Sequence, residues 1–93
     1  MQNTSTRLDT LQGTLSGVVD GDIHVWRGIP YATPPVGSLR WRAPQPLSPW
    51  TGIRQCDSFS ASSWQNSEYC QELGGGDPGR FSEDCLYLNV WAP

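Results

Sequence analysis

The stretch SEDCLYLNVWAP, residues 82–93, sets polar and acidic positions ahead of one cysteine and then an apolar run. That run, LYLNVW, predicts a strand entering a buried sheet and is the clearest strand in the chain. In IHVWRGIPYA, Ile23, Val25 and Ile29 alternate against His24 and Arg27 for part of the length. In LQGTLSGVV, residues 11–19, apolar positions are scattered among Gly13 and Gly17, which predicts a twisted or edge strand. DGD lies between the two segments, and Gly21 accepts the positive φ of a tight turn. Together they predict a β-hairpin. GIRQC, residues 52–56, predicts a further short strand.

Between these segments the pattern breaks. TPPVGSLRWRAPQPLSPW holds five prolines and excludes helix and central strand. It predicts an extended, partly polyproline connection laid over a surface and pinned by Trp41 and Trp50. Residues 57–82 are polar and end in GGGDPGRF, which predicts one long irregular loop of the kind that is often functional. Residues 1–10 are polar and expected to be disordered, leaving 11–93 as the structured segment. No repeat and no long amphipathic helix is visible.

Composition narrows the function classes. With 93 residues, the chain can bury only a modest core. A net charge of -3 and a pI near 4.7 argue against nucleic acid or an anionic membrane as partner. No apolar run nears the roughly 20 residues of a membrane-spanning helix. MQNTSTRLDTLQG lacks the apolar segment of an export signal. NTS at Asn3 fits a glycosylation acceptor, but three residues carry little weight. Cys56, Cys70 and Cys85 are odd in number, form no CxxC pair and lie far from His24, the only histidine. No metal site is expected, and a reducing compartment is mildly favoured.

Two stretches carry a family resemblance. GIPYATPPVGSLRWRAPQPLSPWTGIR and EDCLYLNVWAP resemble the amino-terminal part of the type-B carboxylesterases, the carboxylesterase and cholinesterase family of α/β-hydrolases. The second stretch matches a family signature at every position, and the resemblance runs from about Gly13 to Pro93. It implies a fold class of α/β hydrolase, of which this segment is a mostly β amino-terminal portion: hairpin, proline-rich connection, long loop and one strand of the central sheet. It also implies that the chain is truncated before the oxyanion loop. A serine hydrolase on this fold needs a nucleophile on a G-x-S-x-G turn, then an acid, then a histidine, with backbone donors for the oxyanion.

None of these is expected within the chain. GTLSG reads G-x-x-S-G, so Ser16 sits one place off and is better read as a strand residue. Gly74–Gly76 mimic the glycines of an oxyanion loop, but Leu73 precedes them instead of histidine and they lie before SEDC. The family's catalytic histidine comes near the carboxyl end, so His24 is read as a surface strand residue. No catalytic, cofactor-binding or metal-binding residue is assigned, and no cofactor is implied.

The matched residues are expected to be structural. Arg40 and Glu83 fall where the family places a buried salt bridge, and a guanidinium can grip a carboxylate bidentately. Breaking such a buried pair costs roughly 3–5 kcal/mol; a solvated one is worth less than about 1 kcal/mol. Trp41, Trp50 and Trp91 are read as packing residues. Two departures from the family stand out. Secreted members place a cysteine two residues before a glutamine and pair it with the cysteine of EDC; here Ser63 precedes Gln65. Cys85 is therefore expected to be a free, buried structural thiol, with a bridge to Cys70 as the rival. The cholinesterase branch carries an aromatic for quaternary ammonium in this loop, whereas LGGGDPG, residues 73–79, has none.

The resemblance thus implies part of a serine carboxylesterase that cleaves small carboxylic esters through an acyl-enzyme and is inactive by itself. The alternatives are a non-catalytic adhesion relative and a free-standing β-rich module. The remaining partner is the rest of its own domain, and the expected location is cytoplasmic, with secretion as the alternative.

Overall fold

The computed structural model describes residues 6–74 and 78–93. Among these residues six strands form two three-stranded sheets. The first contains β1 (Arg7–Asp9), β2 (Thr14–Ser16) and β5 (Ile53–Gln55), ordered β1-β2-β5. β1 runs antiparallel to β2, and β5 runs parallel to it. The second contains β3 (Val18–Asp20), β4 (Ile23–Pro30) and β6 (Tyr87–Ala92), ordered β3-β4-β6 and antiparallel throughout.

The expected hairpin is present, but only its second half pairs as predicted. β3 and β4 join through a turn in which Gly21 takes φ +61°, a conformation open to glycine without the steric cost of a Cβ. Residues 11–19, expected as one strand, divide at Gly17 into β2 and β3, which belong to different sheets. A Cβ on Gly17 would lie 2.2 Å from the Val25 carbonyl oxygen and 2.8 Å from the Trp26 ring. Only glycine lets the backbone pass there. Its amide donates to Thr6 Oγ1 at 2.8 Å, and Trp26 Nε1 donates to the Thr6 carbonyl at 2.8 Å. These two bonds explain why Arg7–Asp9 form a strand where disorder was expected: Thr6, only 4% exposed, anchors the segment.

The core lies at the seam between the sheets. Leu15 of β2, Val25 of β4 and Cys56 just after β5 are the most deeply buried side chains among the described residues. Cys56 also sews the backbone together. Its N–H donates to the Ser16 carbonyl at 2.7 Å, and its carbonyl accepts from Arg27 N–H at 2.8 Å.

The proline-rich connection is extended apart from a one-turn 3-10 helix, Gly37–Leu39. Trp50 pins its end, with Nε1 donating to the Thr14 carbonyl at 3.1 Å. Trp41 does not pin it: that side chain is 91% exposed. The region read as one irregular loop contains a helix, α1 (Ser67–Glu72). Asn66 caps it by accepting from Tyr69 N–H at 3.0 Å, and Glu68 in the first turn complements the helix dipole.

The strand LYLNVW forms as β6, but it is not buried in this chain. β6 is an edge strand, and Leu88, Val90 and Trp91 are exposed.

Candidate functional site

Arg40 follows the one-turn helix and closes it through its N–H to the Gly37 carbonyl. Its Nε lies 2.7 Å from Glu83 Oε2, so the proline-rich connection meets the polar entrance of β6. The pair is not buried as expected: the two side chains are 57% and 36% exposed. Both lie on loop segments flanking the sheets. The Arg40 guanidinium also lies 5.7 Å from the Trp41 ring centre. Trp41 adopts φ +64°, the only positive φ outside glycine among the described residues. Such a conformation costs about 1–3 kcal/mol.

Arg40, Trp41, Glu83 and Cys85 border an open cleft of about 210 Å³ that Trp64 and Pro35 also line. Trp64 packs on Phe81 with ring centres 5.5 Å apart. A larger cleft, about 550 Å³, lies between Phe59–Ser63 and the start of β6. Cys85 lines both clefts. It is a free thiol, half-buried where full burial was expected. Of the two described thiols the deeply buried one is Cys56, also free, and burial pushes its pKa up; the Arg54 charge opposes this and Asp57 adds to it.

The neck of the long loop is closed by hydrogen bonds at Ser62. Its N–H donates to the Arg80 carbonyl, its carbonyl accepts from Ser82 N–H, and its Oγ donates to the Pro78 carbonyl at 2.6 Å. Ser63, two residues before Gln65, is the next residue.

Ser16 ends β2, paired with Arg7 and Gln55. His24 lies in the other sheet, opposite Val19 and Ala92, with its ring stacked 6.1 Å from Trp26. The two are therefore strand residues in separate sheets, in no nucleophile–base arrangement. Gly74 lies at φ +82°, while Gly75, Gly76 and Asp77 fall outside the described residues. Among the described residues, no group of three or more His, Cys, Asp or Glu is placed to hold a metal ion. No helix among them is long and apolar enough to cross a membrane.

Two arginines make aromatic contacts that were not legible in the sequence. Arg27 lies 5.2 Å from the Phe59 ring centre and 5.8 Å from that of Trp91, bridging the loop to β6. Arg54 of β5 lies 5.7 Å from Trp50 and 6.0 Å from Tyr87. In sequence each is an isolated arginine on a short strand, and nothing marks its partners.

A family described as the carboxylesterase family matches residues 3–93. The phenmedipham hydrolase of Pseudarthrobacter oxydans is 45% identical over 91 residues, a match covering 90% of this chain and 17% of that protein. The fumonisin B1 esterase of Sphingopyxis macrogoltabida is 43% identical over 84 residues, covering 90% of this chain and 15% of that protein. A solved PNB esterase superposes with a TM-score of 0.87 at 38% identity, covering 97% of this chain and 18% of that one. The chain thus spans less than a fifth of the length of the relatives it matches.

Proposed function

Because the chain belongs to the carboxylesterase family, we propose that it forms the amino-terminal part of a carboxylic ester hydrolase working through an acyl-serine intermediate. One observation carries the reading: the family match extends over residues 3–93, and relatives at 45% and 43% identity are named as a hydrolase and an esterase. This segment supplies scaffold. The nucleophile, acid, histidine and oxyanion donors come from the rest of the domain, which is the partner that covers the free edge of β6. An edge strand with exposed apolar side chains calls for such cover.

The substrates are small carboxylic esters, without a preference for choline esters. Residues 73–79 contain no aromatic to attract a quaternary ammonium, although part of that stretch lies outside the described residues. The protein acts in a reducing compartment, a reading supported by the free thiols of Cys56 and Cys85.

A fluorophosphonate probe tests the reaction class on the complete polypeptide. It should label one serine outside residues 1–93 and abolish hydrolysis of a p-nitrophenyl ester in the same proportion. A complete polypeptide that neither takes the probe nor cleaves the ester would contradict the proposal.

A further inference from the structure

Arg54 is the middle residue of β5, in the first sheet, yet it reaches the second. Its guanidinium carbon lies 6.0 Å from the ring centre of Tyr87, the first residue of β6. On the first-sheet side it lies 5.7 Å from the ring of Trp50, which is hydrogen-bonded to β2 through the Thr14 carbonyl. As burial does, Asp84, three residues before Tyr87, pushes the phenol pKa up. Asp84 and Tyr87 also line one wall of a cleft of about 290 Å³ beside this contact.

We propose that Arg54, held between the rings of Trp50 and Tyr87, forms a clasp that locks the first sheet to the second and fixes where β6 begins. A planar cation held between two aromatic faces supplies attraction without a buried unpaired charge. The half-buried position of both Arg54 and Tyr87 leaves the contact only partly screened. The backbone bonds of Cys56 join the sheets beside Ser16 and Arg27; Arg54 is the side chain that joins β5 to the entrance of β6. Protonation agrees with this geometry. Burial pushes the Tyr87 phenol up, Asp84 pushes it further, and Arg54 opposes both. The clasp is a property of the fold and does not depend on the proposed ester chemistry.

Two measurements on the complete polypeptide test it. Arg54→Met and Tyr87→Leu should each lower the unfolding midpoint by about 2–4 °C. The double variant should fall little further than the worse single, and Arg54→Lys should recover only part of the loss. Additive losses, or no loss on Arg54→Met, would overturn the clasp. The second measurement follows the ring-labelled Tyr87 resonance, identified by its disappearance in Tyr87→Phe. Its titration should move to lower pH in Asp84→Asn and to higher pH in Arg54→Met. A midpoint that moves in neither variant would also overturn it, without relying on a change in stability.

Discussion

Arg40 Nε and Glu83 Oε2 stand 2.7 Å apart, joining segments more than forty positions apart in the chain, and they do so at the surface. Exposure decides the magnitude. Water screens both partners, so the coupling in residues 1–93 should be below about 1 kcal/mol. A double-mutant cycle with Arg40→Ala and Glu83→Ala measures it directly. The coupling should shrink further in high salt. A salt-independent coupling above about 3 kcal/mol would instead indicate a desolvated pair.

Gly17 governs a second prediction. The nearest obstacle to a Cβ there is a backbone oxygen of β4, which cannot swing aside as a side chain would. Gly17→Ala should therefore destabilise the chain by roughly 2–3 kcal/mol through overpacking, read from the denaturant midpoint. Gly21→Ala meets no clash and strains only one turn, so its loss should be smaller. Equal losses would show that the close approach at Gly17 is not what separates β2 from β3.

Most strands were legible because their patterns are local. β4 and β6 carry apolar positions and turn residues in the order that strands require, and the prolines kept helix and strand out of most of residues 33–50. The missed elements depend on distant partners. β1 exists because the carbonyl and hydroxyl of Thr6 meet Trp26 and Gly17, 20 and 11 positions away. α1 was hidden inside a glycine-rich stretch, although Asn66 and Glu68 were a readable cap. For the candidate site, Arg40 and Glu83 could be named from the family motif, but their exposure could not. Burial belongs to the assembled surface, and no motif encodes it.

The two described thiols should differ sharply in reactivity. In a Cys70→Ser background, native protein should present Cys85 to a disulfide reagent, while Cys56 reacts only as the fold opens. The raised pKa of Cys56 also sets a direction for stability. Below the ordinary thiol value both folded and unfolded states keep the proton, and the contribution of the buried neutral thiol is intact. As pH rises through that value toward the higher folded one, the unfolded state sheds its proton first and stability falls. A Cys56→Ala variant should show a shallower alkaline loss. An unchanged slope would mean that Cys56 does not carry it.

The central claim is that this chain is scaffold, with the ester-cleaving groups supplied from elsewhere in the domain. The most direct test is the hydrolysis of a p-nitrophenyl ester by purified residues 1–93, measured against buffer alone. Ser16 and His24 lie in different sheets and form no nucleophile–base pair, and the predicted rate equals that of buffer. Turnover above buffer that disappears on Ser16→Ala would contradict the account.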